Sequence, residues 1–424
     1  MQRGDLKKLL SLPVIVAALG YFVDIYDLLL FGIVRIKSLK EIGVAATEVF
    51  DKGELLLQIQ MGGLLVGGII WGTMGDKRGR LSVLFGSILL YSLANIANGF
   101  VTSFEQYAVL RFIAGLGLAG ELGAGVTLVS ESLPKHLRGY GTTIIAAVGL
   151  LGAVLAYYIS EWYLWRTAYF IGGGLGLILL VTRVSVFESG IFLETKTKDV
   201  RRGNFFQLFQ NAVRAKKFIG CILIGLPLWF VIGILITFSP EISKALSIEG
   251  DVAAGRAIMI SYLGLTLGDV LSGLSSQYFK TRKKVAAVFI LLTCCFIVFY
   301  LFIPIKTVSF FYTVCFILGV GIGYWALFVT IAAEQFGTNL RATAATTVPN
   351  FIRGTVIPLT LSFKYIRDSF KQALLPTLGE TQAKALGIIY GALLIGIVTI
   401  VIALIALHAV DETYGRDLNF EEEA

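Results

Sequence analysis

The stretch GTMGDKRGR, residues 72–80, decides the fold. It lies between two long apolar segments. Gly75 and Gly79 permit a tight turn. Lys77, Arg78, Arg80 and Asp76 keep that turn in water. A short charged turn of this kind joins two membrane-length helices on one side of a bilayer. Asp76 is expected near a helix N-terminus, where a carboxylate is favoured, and within reach of a cation on a neighbouring helix. Asp76 and Arg80 therefore read as parts of an inner gate.

The rest of the chain agrees with a membrane setting. Of its 424 residues, 56% are hydrophobic and only 15% charged, far from a soluble balance. Apolar runs of roughly 20 residues recur throughout, each long enough to cross a ~30 Å hydrocarbon core, and about twelve spans meet that criterion. The first covers residues 11–34 and the last 385–410. The basic start MQRGDLKKLL suggests a signal peptide, but the following run is too long, carries Asp24 and Asp27, and lacks a small-residue cleavage site. It reads as a first span. The 47 glycines suit close helix packing in lipid. The net charge of +8 is no nucleic-acid signal, because its cations concentrate in loops on the terminal side and so place both termini inside.

Other chemistries are excluded. Cys221, Cys294, Cys295 and Cys315 all lie in apolar spans without metal or disulfide spacing. His136 sits in an inner loop and His408 ends the last span, and two histidines build no metal site. No phosphate-binding loop, nucleophile elbow or dinucleotide fingerprint is present; GLGLAGELGAG lies inside an apolar span, where glycines serve packing. The chain is expected to be no enzyme and to need neither metal nor cofactor.

The organisation is twofold. The longest polar stretch, residues 183–217, leaves about six spans on either side, as in two parallel bundles. The expected division is a first bundle at 1–186, a cytoplasmic linker at 187–215, a second bundle at 216–410 and a tail at 411–424. The halves echo each other. SESLPKHLR (130–138) and AEQFGTNLR (333–341) each place a Glu seven residues before an Arg, 203 positions apart. KTRKK (280–284) is the basic counterpart of GDKRGR but has Lys280 where Asp76 stands, so a weaker latch is expected there. Residues 35–54 and 364–384 read as external loops.

These motifs resemble those of the major facilitator superfamily of secondary transporters. GTMGDKRGR resembles its loop signature. RFIAGLGLAGELGAGVTLVSESLPKHLRG (111–139) resembles the fourth span of its metabolite:proton symporter, phosphate symporter and organic-ion carrier branches, with Glu121 on their acidic position. DIYDLLLFG resembles the first-span pattern of the same branches. AEQFGTNLRA, followed by Arg353-Gly354 and Pro358, resembles an organic-ion carrier pattern whose second arginine falls on Arg353. VFESGIFLE (186–194) and the ending DETYGRDLNFEE resemble sugar-porter motifs. The resemblance implies an all-α integral membrane protein of twelve transmembrane helices in two pseudo-symmetric six-helix bundles.

Buried charge then suggests the chemistry. Asp24 and Asp27 are i and i+3 on one face of the first span. Carboxylates that close repel, and binding a proton relieves the repulsion. Asp24, Asp27 and Glu121 are the proton-coupling candidates, with a salt bridge from Asp27 to Arg111 as the alternative. An arginine inside a span faces a cavity or a partner. Arg353, with Arg111, is the candidate anion site, since a guanidinium grips a carboxylate bidentately; a fixed bridge from Arg353 to Asp269 or to a carboxylate of the first half is the alternative. Asn350, Gln58, Tyr26, Trp229, Tyr324 and Trp325 are candidate lining residues. Glu131, Arg138, Asp269, Glu334 and Arg341 join Asp76 and Arg80 as gating candidates. The expected activity is symport of a small anionic metabolite, a carboxylate, with protons, by a monomer in the cell membrane. Its partners are the solute, protons and lipid, not nucleic acid. A sugar or polyol porter, a proton-coupled exporter and a non-transporting sensor are the alternatives. The seventh span lacks the polar set a sugar ring requires.

Overall fold

The computed structural model describes residues 3–134, 136–182, 204–416 and 420. Seven spans precede the middle of the second half without ambiguity: α1 (Leu12–Glu41), α2 (Val49–Arg78), α3 (Arg80–Asn98), α4 (Phe104–Leu118 then Glu121–Ser132), α5 (Arg138–Leu150 then Gly152–Trp162), α6 (Trp165–Thr182) and α7 (Ala212–Ile236). They are followed by α8 (Ala254–Phe279), α9 (Lys283–Leu301) and α10 (Val308–Gly321 then Trp325–Glu334). The helical trace then runs from Arg341 to Ala409, 69 residues. At 1.5 Å per residue that is about 100 Å, over three times the hydrocarbon thickness. Gly379 breaks it, with φ +75°. Beyond that glycine the chain turns back, and Gly387 and Gly391 pack against Arg367 and Lys371. The trace is thus a hairpin of α11 (341–378) and α12 (380–409). The twelve spans form two bundles, α1–α6 and α7–α12.

Glycines set the spacing inside each bundle. A Cβ on Gly63 or Gly67 of α2 would lie 2.2–2.3 Å from the carbonyl oxygens of Phe112 and Leu116 on α4, and one on Gly115 would lie 2.2 Å from that of Gln60. The second bundle repeats the arrangement. Gly264 and Gly268 of α8 meet the carbonyls of Phe316 and Val320 on α10, and Gly319 meets that of Ser261. The corresponding glycines lie 201 to 204 positions apart. Backbones in contact at the same places confirm the internal duplication in three dimensions.

Two expected loops are mostly helix. α1 continues to Glu41 and α2 starts at Val49, so only the middle of 35–54 is a turn. The 364–384 segment is the outer end of the α11–α12 hairpin. Polar side chains there read as loop, although the backbone stays helical on both sides of Gly379. The ESG-like motif beyond residue 186 and linker residues 187–203 lie outside the described residues, as do 417–419 and 421–424 of the tail.

Gly115→Ala is expected to lower the unfolding temperature in detergent by several degrees, since its new methyl meets a carbonyl oxygen and overpacking costs about 1–3 kcal/mol. Gly62→Ala, with nothing within 4 Å of the new methyl, should leave it unchanged or slightly raised.

Candidate functional site

The two bundles meet around a cavity at mid-depth. It is walled by Tyr21 of α1, Trp229 of α7, Tyr262 of α8, Trp325 of α10 and Arg353 of α11, with Leu150 of α5 among the apolar residues that complete it. Pro349 lies one turn before Arg353, and the first piece of α11 ends at Gly354. Arg353 is 1% exposed. Its guanidinium lies 3.7 Å from the Asp24 carboxylate of the opposite bundle. Its Cζ is 5.9 Å from the Trp229 ring centre and 5.5 Å from that of Trp325, the range of cation–π attraction. Nη1 donates to Asn350 Oδ1 at 3.4 Å. Asn350 in turn donates to the Ala119 carbonyl at 2.7 Å, at the break between the two helices of α4. The free volume is about 10 Å³, roughly room for one water.

A second buried charge cluster lies inside the first bundle. Arg111 donates to Asn95 Oδ1 at 2.8 Å and stacks 4.9 Å from the Tyr169 ring centre. Asp27 lies within electrostatic reach of Arg111 and beside Asn95. It also sits against Gly172 of α6, where a Cβ would come 2.2 Å from its Oδ1. Tyr107 and Tyr169 share a 2.7 Å hydrogen bond.

The side that carries the described ends of the chain, called inner from here on, is shut by contacts between the bundles. Asp76 accepts from the backbone amides of Ala342 (3.1 Å) and Thr343 (2.7 Å) and from the Thr343 hydroxyl (2.7 Å). A carboxylate thus sits on the N-terminus of α11, where the helix dipole favours it. Arg341, the first residue of that helix, pairs with Glu131 of α4 at 3.2 Å, both fully buried. A glycine row on α2 lets α11 approach: Gly68 faces Asn350, Gly72 faces Thr343 and Gly75 faces Ala342. Thr330 donates to Thr142 at 3.0 Å between α10 and α5.

The outer side is shut as well. Arg35 at the end of α1 pairs with Glu241 at 3.2 Å, and Gln58 of α2 donates to Thr360 of α11 at 3.0 Å. With both mouths closed, the conformation is occluded.

The model of the Major Facilitator Superfamily matches residues 17–354. The chain belongs to this superfamily. The chain is 28% identical to the sialic acid transporter NanX of Escherichia coli (strain K12), over 59% of this chain and 64% of NanX. It is 30% identical to the niacin transporter NiaP of Acinetobacter baylyi, over 41% of this chain and 40% of that protein. It is 26% identical to the gentisate transporter of Corynebacterium glutamicum, over 77% of this chain and 75% of that one. The matched region thus covers less than two thirds of the first two relatives. Among solved structures, the proton:xylose symporter XylE superimposes with a TM-score of 0.74 at 16% identity, covering 96% of this chain and 97% of that one. That likeness concerns the superfamily fold.

The expected site residues fall into separate places. Arg353, Trp229, Trp325 and Asp24 meet at the central cavity, with Asn350 beside them. Arg111 and Tyr26 do not reach it: Arg111 stays in the first bundle, and the Tyr26 hydroxyl donates to the Ala168 carbonyl at 2.8 Å. Tyr324 donates to the Ile224 carbonyl at 3.1 Å within the second bundle, and Gln58 belongs to the outer contact. Glu121 is buried in the first turn of the second α4 helix. Asp269 of α8 turns toward α10 of its own bundle. It accepts from the Ala326 amide at 3.0 Å, satisfying a donor orphaned where α10 breaks before Trp325. Glu334 pairs with Arg282 of the same bundle at 3.1 Å, and Arg138 donates to the Leu133 carbonyl. The Arg80 side chain lies outside the described residues. Tyr21 and Tyr262 were not anticipated. Tyr21 is three residues before Asp24, hence on its helix face, and that spacing was the available signal.

The weaker second-half turn is held from the tail. Glu412 accepts from the Arg282 amide (2.9 Å) and the Thr281 hydroxyl. Burial raises its carboxyl, but these hydrogen bonds outweigh burial and hold it below its ordinary value. Lys217 likewise holds Asp411 below the usual carboxylate range through a 3.0 Å pair.

Asp76→Ala removes the acceptor of three donors, and lost caps cost about 1–2 kcal/mol. The variant is expected to shift roughly tenfold toward an inward-open state. Spin labels at Lys77 and Tyr278, on the inner ends of the two bundles, should report a longer distance population.

Proposed function

We propose that the chain is a proton-coupled symporter for a small organic anion bearing a carboxylate. It works as a monomer in the cell membrane with both termini in the cytoplasm. Residues 1–186 and 216–410 rock against each other about the linker at 187–215. The observation that carries this reading is the Arg353–Asp24 pair across the two bundles, 3.7 Å apart in a cavity walled by Trp229 and Trp325. Arg353 offers a fork of donors that matches a carboxylate. The rings on either side suit a flat apolar body. Asp24 occupies the position the solute's carboxylate requires. Protonating Asp24 releases Arg353, so proton and anion bind together. Asp27, one helical turn along, stays with Arg111 and Asn95 and holds the first bundle's own charge balance.

The sialic acid, niacin and gentisate transporters support this reading, since each named solute carries a carboxylate. A neutral sugar offers no charge to replace Asp24 at Arg353, which weighs against the sugar-porter alternative.

The test uses proteoliposomes under an imposed inward proton gradient, with aromatic and aliphatic carboxylates, phosphate, sugars and organic cations in parallel. Accumulation of one carboxylate is expected. Its affinity should fall as pH rises, because the protonated form of Asp24 is the binding form. In Asp24→Asn that pH dependence should vanish while binding persists, and gradient-driven accumulation should be lost. Arg353→Lys keeps the charge but loses the fork, and should weaken binding at least tenfold. Uptake of a sugar, or wild-type affinity in Arg353→Lys, would make Arg353 structural. Proton-driven efflux alone would make the chain an exporter.

A further inference from the structure

The inner ends of α8 and α9 enclose a recess of about 730 Å³, away from the central cavity. Its walls are apolar, with Phe279, Val285, Val288 and Phe289 along them. Its rim carries Lys280, Lys283 and Lys284, with Ser275, Thr281 and Glu412 as the other polar groups. Two of the rim charges are engaged. Glu412 accepts from Thr281 and from the Arg282 and Lys283 amides. Lys283 Nζ donates to the Val410 carbonyl at 2.5 Å and the His408 carbonyl at 3.2 Å, at the end of α12.

Lys280 and Lys284 differ. Both are exposed, and neither forms an ion pair among the described residues. Lys280 ends α8 in the left-handed conformation, φ +53°. The helix faces beside the recess expose Tyr278 (81%), Phe279 (65%) and Val288 (53%). In a spanning bundle such faces look into the bilayer, so the recess lies where headgroups meet acyl chains.

We propose that this recess binds an anionic phospholipid of the inner leaflet. Its phosphate lies between Lys280 and Lys284, and its acyl chains run along Phe279 and Val288. The cationic rim complements a phosphate, and the apolar walls have no use for a free anion in water. A headgroup with no net charge gains less, because each lysine near the surface strengthens anionic attraction.

The experiment is native mass spectrometry of the full chain in neutral detergent, with equal phosphatidylglycerol and phosphatidylcholine. Phosphatidylglycerol should be retained several-fold more. Lys280→Gln with Lys284→Gln should reduce its retention by roughly fivefold per lysine, while the double arginine variant should keep it. Millimolar inorganic phosphate should not displace it. Equal retention of the two lipids, unchanged retention in the double glutamine variant, or displacement by inorganic phosphate would each overturn the proposal.

Discussion

A guanidinium at mid-depth in a membrane bundle requires a negative partner, and Arg353 takes its partner from the other half of the molecule. An arginine facing hydrocarbon at the centre of a span costs at least about 2.5–3.5 kcal/mol. Partnering across the bundles converts that cost into a force that closes the cavity. About 10 Å³ remains between the two walls that carry these opposite charges. The pair is also loose. At 3.7 Å it is beyond hydrogen-bond range, so it is held by charge more than by directed donors. A partner with ideal bidentate geometry can displace it.

The inner gate uses a different principle. Across the bundles Asp76 accepts from backbone amides at the start of α11, with the helix dipole behind them. The contact depends on α11 reaching α2, which the Gly68, Gly72 and Gly75 row allows. The buried Arg341–Glu131 pair stands beside it. Breaking any of these leaves a polar group in a dry place, so the gate opens as a unit. The second half has no such carboxylate in its turn. At the 201-residue register that relates α2 to α8, Gln277 stands in place of Asp76, and the tail supplies the acid through Glu412. The duplication therefore preserved the glycine frame of the bundles while the charged turns diverged, one becoming an inter-bundle latch and the other an intra-bundle clasp.

Much of the fold was legible because membrane spanning imposes length, apolarity and charged turns on the sequence itself. The echo of Glu131 and Arg138 in Glu334 and Arg341 was legible too, but not its pairing. Glu131 meets Arg341 across the bundles, whereas Glu334 pairs with Arg282 of its own bundle. Sequence gives the depth of a residue in a span and leaves its rotation open. Arg111 and Arg353 both read as arginines within a span, yet one faces Tyr169 inside its bundle and the other faces the cavity. Helical phase would have helped with Tyr21, which shares a face with Asp24. Tyr262 has a similar but more distant marker in Asp269, seven residues on and on the same face of α8. The α11–α12 turn is hidden for another reason: the helix ends on either side of Gly379 carry polar residues and look like a loop.

In the proposed symport of anion and proton, charge balance links these parts into a cycle. The empty cavity holds Arg353 and Asp24 and is neutral as a pair, which fits its closed state. An anion alone would leave one negative charge in excess. A proton alone, on Asp24, would leave Arg353 unmatched. Either excess charge, buried in a dry cavity, carries a penalty of several kcal/mol, and each 1.4 kcal/mol is tenfold in the closed population. Anion and proton together restore neutrality. Closure is then favoured for the empty and the doubly loaded forms and disfavoured for each singly loaded one. That pattern is what distinguishes coupled movement from a leak, and it needs no contact between the proton and the solute, only a shared arginine.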